Sequence, residues 1–435
     1  MKYLSRSAFL VMYRLLSWAI EPFAESFLLF RLRKNKEDSG RLEERLGHAS
    51  LARPAKGSLI WIHAASVGES LSMLPLMEKL NTQDRILLLT TGTLSSARLM
   101  NDRLPKNVLH QFIPLDTPHA VRRFISYWQP ALAIWTESEL WPNLIGEMAR
   151  RNIPLLLVNA RMSERSYRRW RTFAPYSVRQ LLHAFSLCLA QNEESADRLR
   201  KLGASRVKVT GNLKHDAPPL PVDAEKFSTL QKMLGARPRW LAASTHRGEE
   251  EIIIKAHKEL ALRYRDLLTF IVPRHPERGA DICALARKQG LSCAQRSQGM
   301  PISADLSIYV ADTLGELGVF YKSCQSVFMG GSLVAHGGQN PLEAARFSCA
   351  LLAGAHTQNF KDIYATLEKA QALERVRDGQ SLKSALENHF TDTRARDESA
   401  QHAFAYAQSM RGALARVMEA ITPYLPGGNA SHAQA

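Results

Sequence analysis

The sequence of 435 residues has little cysteine, and what it has is scattered. Five cysteines (Cys188, Cys283, Cys293, Cys324, Cys349) form no CxxC pair and leave an odd total. That spacing is neither a disulfide framework nor a zinc site, and it fits a reducing compartment. No DxD acid pair is present, so nothing in the sequence marks a metal-held diphosphate. HExxH, GxSxG and a Cys–His pairing at motif spacing are missing too, which removes the usual hydrolase signatures. A clean membrane-spanning run is also absent. The most apolar N-terminal stretch, residues 8–30, carries Arg14, Glu21, Pro22 and Glu25, and each charge at the centre of a span costs about 2.5–3.5 kcal/mol. A signal peptide fits no better, because Arg14 interrupts the apolar region and no small-residue cleavage site follows. Acid is in deficit: 41 acidic against 57 basic residues gives a formal charge of +16. Such a balance suggests nucleic acid, an anionic membrane face or a phosphorylated substrate as partner.

What remains is an ordinary folded composition, 45% hydrophobic and 23% charged, in a chain long enough for two domains. Residues 8–30 read either as a helix packed on the protein's own body or as one lying in a membrane interface, with Lys2, Arg6, Arg31, Arg33, Lys34 and Lys36 near headgroups. From Leu59 onward, short apolar runs alternate with helical stretches: 59–63, 85–90, 108–114, 131–136, 153–158 and 186–190. Runs without polar alternation mark a parallel sheet covered on both faces. APPLPV at 217–222 cannot continue a helix or a central strand. A second alternation follows at 240–244, 267–272, 306–311, 326–330 and 350–353. The expectation is an α/β protein of two doubly wound domains facing a cleft.

The stretch SLIWIHAASVGESL (58–71) delivers Glu69 from a buried strand, through a small-residue loop, to a helix start, where open α/β sheets place reacting groups. Ser66 and Glu69 also spell a capping box, so local pattern leaves chemistry and helix capping equally open. Glu137 and Glu139 end another strand, and Lys214 follows Gly211-Asn212-Leu213 before the link. Arg161, Arg165, Arg168, Arg169 and Arg171, interleaved with Tyr167 and Trp170, are a solvated face or a phosphate-capturing surface. In the second domain, Phe328–Ala345 (FMGGSLVAHGGQNPLEAA) pairs glycines that admit close backbone approach with Asn340, Pro341 and Glu343 opening a helix. Glu343 reads as a partner of the helix dipole or an acceptor for ribose hydroxyls. Arg274 and His275 leave a strand end, where an arginine fork matches an oxyanion. Ser244, Thr245 and His246 end another strand, and Gly315, Glu316 and Leu317 supply backbone at a fourth junction.

Taken together, SVGE (66–69), ESELWPN (137–143), NAR (159–161), AQNEE (190–194), GNLK with Asp216, STH with GEE (244–250), VPRHPER (272–278), DTLGEL (312–317), GGSL (330–333) and GGQNPLEAA (337–345) resemble, in order, the 3-deoxy-D-manno-octulosonic acid (Kdo) transferases of Gram-negative bacteria. The resemblance implies a GT-B glycosyltransferase that moves Kdo from CMP-Kdo to the lipid A precursor at the cytoplasmic face of the inner membrane, with no metal or other cofactor. It implies Glu69 as catalytic base, and Glu137 and Lys214 as transition-state stabilisers. It implies Arg274, His275, Gly315, Glu316, Leu317, Asn340, Pro341, Leu342 and Glu343 as CMP-binding positions. Ser66, Gly68, Ser244, Thr245, His246, Gly331 and Ser332 are further candidate contacts. Gln339, His215 and Arg247 depart from residues common in the family and blur the donor pocket and acceptor preference.

The implied organisation is a membrane-associated helical segment (1–50), an acceptor-binding domain (51–216), a hinge (217–222), a donor-binding domain carrying the C-terminal helices (223–426) and a disordered tail (427–435). Anionic lipids are expected partners. Nucleic acid is not, because the basic stretches lack an RNP, KH or dsRBD pattern. A nucleotide-sugar epimerase is the rival enzyme on this fold, but it has no need of the apolar N-terminal helix.

Overall fold

The computed structural model describes residues 7–216 and 219–427. Residues 1–6, link positions 217 and 218, and tail positions 428–435 lie outside the described residues.

The apolar runs form two parallel seven-stranded sheets. The first contains β1 (Ser58–Ala64), β2 (Arg85–Thr91), β3 (Val108–Phe112), β4 (Leu132–Thr136), β5 (Leu155–Ala160), β6 (Leu187–Ala190) and β7 (Val207–Val209), in the order β3-β2-β1-β4-β5-β6-β7. The second contains β8 (Arg239–Thr245), β9 (Leu268–Pro273), β10 (Cys293–Gln295), β11 (Ile308–Val310), β12 (Ser326–Met329), β13 (Ala350–Ala353) and β14 (Leu373–Arg375), in the order β10-β11-β9-β8-β12-β13-β14. Strand order reverses between β1 and β4 in one sheet and between β8 and β12 in the other. Neighbouring connections there leave in opposite directions and open a crevice at the carboxyl ends of the strands. Three strands escape the sequence pattern: β7, β10 and β14 are edge strands of three residues each, too short to show an apolar run.

The described chain divides into two compact units, one of residues up to 216 with 410–427, the other of residues 219–409. The C-terminal helices expected in the second domain are therefore split. Thr393–Ser409 stays with the second unit, whereas Ala413–Ile421 belongs to the first. The cause is local: Asp216 accepts the Gly412 N–H at 2.6 Å and the Leu414 N–H, capping this helix, and Ala413, Val417 and Ile421 bury fully with Ile60, Ile62 and Leu213. The cysteine spacing also misleads at one point, since buried Cys283 and Cys293 pair as a disulfide with Cα atoms 5.5 Å apart.

At the N-terminus, helices Ala8–Ile20 and Ala24–Arg33 flank a single turn, Glu21–Phe23, broken by Pro22. They dock on the first unit through polar contacts. Glu21 accepts from the Thr117 hydroxyl and the N–H groups of His119 and Ala120, capping helix Pro118–Trp128. Asp116 likewise caps helix Pro142–Arg150 through Asn143 and Leu144, and accepts the Tyr13 hydroxyl at 3.0 Å. Burial pushes the Asp116 carboxyl up to about 6, against those hydrogen bonds. Leu10, Ala24 and Leu28 bury, while Leu15 (61% exposed), Trp18 (60%) and Phe23 (68%) face outward. No helix among the described residues is long and apolar enough to cross a membrane.

Candidate active site

The β1–β4 edge of the first unit assembles Glu69, Glu137, Glu139 and Lys214. Ser66 caps helix Val67–Leu80, accepting the Glu69 N–H, and its hydroxyl donates back to Glu69 Oε1 at 2.8 Å. The other oxygen, Oε2, accepts the Ala65 N–H at 3.0 Å and the Thr136 hydroxyl at 2.9 Å, a proton that the His63 carbonyl shares at 3.0 Å. In a standard capping box the glutamate would take the N-cap residue's own N–H. Here it reaches one residue further back and gains a hydroxyl from the end of β4. A carboxylate offers about four acceptor positions. Three are used, and the one left is on Oε1.

Glu137 follows β4 with φ +56°, a left-handed conformation that a glutamate adopts only under constraint. Its Oε1 accepts from Lys214 Nζ at 2.6 Å. A methyl group on Gly68 would lie 3.9 Å from that nitrogen, so the ammonium group sits beside the start of the Glu69 helix. The Lys214 turn is held from behind. Asn159, at φ +54° in a bulge of β5, accepts the Leu213 N–H, Asn212 accepts the Lys214 N–H, and Gln191 donates to the Asn159 carbonyl. The NAR and AQNEE motifs thus act through Lys214. Burial raises the Glu139 carboxyl above the usual range, and the neighbouring Glu69 charge pushes it the same way.

The β8–β12 edge of the second unit gathers Ser244, Thr245, His246, Arg274, His275, the Gly330–Gly331 turn and helix Pro341–Ala345. Gly330 is required by contact, because a Cβ there would lie 2.3 Å from the Ser244 carbonyl oxygen. The His246 ring stacks on His336 at 4.2 Å, lies 5.9 Å from His275, and has Gln339 Nε2 3.1 Å from its Nε2. Burial lowers His246 to about 4, with the neighbouring cations adding to the effect, so the ring is neutral at pH 7. Arg274 is exposed and has no side-chain partner among the described residues. Glu343 is half-buried, its carboxyl raised by burial and opposed by Arg346, Asn340 and Arg274.

Several candidate contacts are already engaged within the protein. Glu249, fully buried, accepts four N–H groups: His246 and Gly331 on Oε2, Ser332 and Leu333 on Oε1. The GGSL amides therefore bind the protein's own carboxylate rather than a ligand anion. The Ser332 hydroxyl bonds the Met329 carbonyl and the Gly354 N–H, and the Thr245 hydroxyl donates to Glu250. Glu316 turns its carboxylate to Arg296, Lys226 and Thr313, leaving the backbone of Gly315–Leu317 for a ligand. Helix Pro341–Ala345 is a single short turn, and Asn340 already caps its Leu342 N–H. Thr136 is a contact of the site that the sequence reading did not single out, whereas Glu249, Asn159, Gln191 and Asn212 stood in its motifs without an assigned role. The GEE, NAR, AQNEE and GNLK motifs carry Glu249, Asn159, Gln191 and Asn212 respectively, and no motif carries the contact of Thr136.

A family profile described as "3-Deoxy-D-manno-octulosonic-acid transferase (kdotransferase)" matches residues 40–217. The chain is 36% identical over 391 residues to the 3-deoxy-D-manno-octulosonic acid transferase of Haemophilus influenzae, covering 88% of this chain and 91% of that protein. It is 30% identical over 422 residues to the Bordetella pertussis protein of the same name, covering 94% and 98%. Among solved structures, a glycosyltransferase from Rickettsia africae shares the fold with TM-score 0.55 at 11% identity, covering 86% of this chain and all of that one (100%).

Proposed function

The chain belongs to the family of 3-deoxy-D-manno-octulosonic acid (Kdo) transferases, and from that premise we propose that it moves Kdo from CMP-Kdo to the lipid A precursor with inversion and without a metal. Glu69 takes the proton from the acceptor hydroxyl as the bond to the anomeric carbon forms. The observation that carries this role is the open acceptor position on Oε1, on a carboxylate whose other three are fixed by Ser66, Ala65 and Thr136. Such a base is oriented in advance and still has somewhere to receive a proton.

The leaving CMP carries an anionic phosphate, which a site without a metal must neutralise with cations and backbone donors. Arg274, whose side chain has no hydrogen-bond or ion-pair partner among the described residues, lies close enough to Glu343 to act on its carboxyl, and Glu343 accepts ribose hydroxyls in this reading. Lys214, held by Glu137, supplies positive charge near the base. The outward apolar faces of helices Ala8–Ile20 and Ala24–Arg33 support docking at the cytoplasmic face of the inner membrane, where the lipid acceptor resides.

The test is incubation with CMP-Kdo and lipid IVA followed by mass spectrometry of the lipid. Wild type should add Kdo, and the same assay counts the units transferred. Glu69→Gln should bind CMP normally and transfer Kdo about 10²–10⁴-fold more slowly. Near-normal turnover by Glu69→Gln would remove the base role, and CMP release without any lipid product would remove the proposed acceptor.

A further inference from the structure

A groove of about 240 Å³ runs between helix Ala8–Ile20 and helices Pro118–Trp128 and Pro142–Arg150 of the first unit. Its floor is apolar, with Leu10, Val121 and Gly146 among its walls. Gly146 lies in the interior of helix Pro142–Arg150, where glycine is a poor helix former. What it contributes is the absence of a side chain in the groove.

The rim is cationic. Arg14 and Arg122 line the groove, and their guanidinium groups have no ion-pair or hydrogen-bond partner among the described residues. Arg150 pairs with Glu147, whose carboxylate is also held by Arg151, so that acid is more than neutralised. An apolar slot edged by unpaired arginines is complementary to an anionic amphiphile. The same helix continues outward as an exposed apolar ridge with Val11, Leu15 and Leu16, so the slot opens at the surface that the membrane reading buries.

Resting on that membrane reading, we propose that the groove seats one acyl chain of an anionic phospholipid, with its phosphate at Arg14 and Arg122. The lipid then acts as a fixed point of attachment, distinct from the general apolar adhesion of the ridge.

The full-length protein in detergent, given equal phosphatidylglycerol and phosphatidylcholine, is examined by native mass spectrometry. Wild type should retain one phosphatidylglycerol. Gly146→Leu, which fills the slot with a better helix former, should lower that adduct about tenfold through the lost methylene contacts. Arg14→Gln with Arg122→Gln, both exposed and harmless to folding, should cut the preference for phosphatidylglycerol by about fivefold per arginine. An unchanged adduct in folded Gly146→Leu, or equal retention of the two lipids by wild type, overturns the proposal. Vesicle sedimentation separates it from the membrane reading. Leu16→Ser with Trp18→Ser, outside the groove, should release the protein from vesicles while preserving the adduct. If wild type keeps the adduct but does not sediment, the membrane reading falls and the groove stands.

Discussion

Glu69 and Glu249 occupy the same topological place in their two units. Each opens the helix that follows the first strand of a doubly wound sheet, at the edge where strand order reverses. Their surroundings differ by one hydrogen bond and by what lies across the edge. Glu69 is 7% exposed and has three donors, two of them hydroxyls, whereas Glu249 is 0% exposed and has four backbone N–H donors. A carboxylate with every acceptor position filled can hold a loop but cannot take a proton without breaking that loop. The same strand–loop–glutamate pattern therefore leaves an open acceptor position in one unit and holds the 331–333 loop in the other, a difference that the proposed base role of Glu69 requires.

The sharpest way to break this comparison is to make the same substitution in both places. Glu69→Gln should cost about 10²–10⁴ in kcat, the usual contribution of a general base, with little change in melting temperature. Glu249→Gln should do the reverse. Its amide group turns an –NH2 toward buried N–H donors, leaving some of them unpaired at about 1–3 kcal/mol each. Thermal melts should show that loss, and the donor KM should rise more than kcat falls. If Glu249→Gln melts like wild type and only kcat suffers, the division of labour is wrong. Lys214→Ala tests the first edge from the other side. Removing a cation near developing charge should lower kcat by about 10²–10³ and leave the second unit's affinity for CMP unchanged, as titration calorimetry would read.

How much of this was legible in the sequence follows from what each signal measures. Apolar runs of four or more residues announced the interior strands, because burial on both faces demands them. The three-residue edges β7, β10 and β14 demand no such run. Ser66 and Glu69 were visible as a pair, but Thr136 was not, since a threonine at a strand end carries no mark of what its hydroxyl will meet. The paired glycines at 330–331 were read as a place where backbone amides approach a ligand, and the structure fills that approach from within the protein. That the approaching group is the Glu249 carboxylate depends on a contact 82 residues apart in the chain, which spacing does not encode. The apolar periodicity of Ala413–Ile421 says that one face is buried without saying against which unit.

Acid distinguishes the units at a second pair of carboxylates. Hydrogen bonds from Arg296 first, then from Lys226 and Thr313, hold Glu316 well below the usual carboxylate range against its burial. A depressed carboxyl contributes stability that is present above its unfolded value of 4.5 and lost as pH falls below it. Asp116 in the first unit behaves oppositely. Its folded value of about 6 lies above the unfolded 3.8, so stability rises as pH falls from 6 toward 3.8. Glu316→Gln should therefore destabilise by about 3 kcal/mol at pH 7, the cost of breaking a largely buried pair, and by progressively less below pH 4.5. Asp116→Asn should show its largest penalty near pH 4 and its smallest at pH 7, because the wild type gains stability as its carboxyl protonates and the amide does not titrate. Denaturation curves from pH 2.5 to 7 would check both, and parallel profiles for the two variants would contradict the assignment.

The smallest expected effect concerns Asp216, where the chain returns to its first unit. Its carboxylate caps helix Ala413–Ile421, and the same residue ends the turn that carries Lys214. Loss of an N-cap acceptor costs about 1 kcal/mol, so Asp216→Ala should lower stability by roughly that amount. Because Ala413, Val417 and Ile421 remain buried with Leu213, the helix should stay docked and change mainly the protection of its first amides from hydrogen exchange. Faster exchange confined to residues 412–414 is the expected result. Faster exchange spreading through residues 417–421 would mean that the cap, rather than the burial of Ala413, Val417 and Ile421, holds the helix in place.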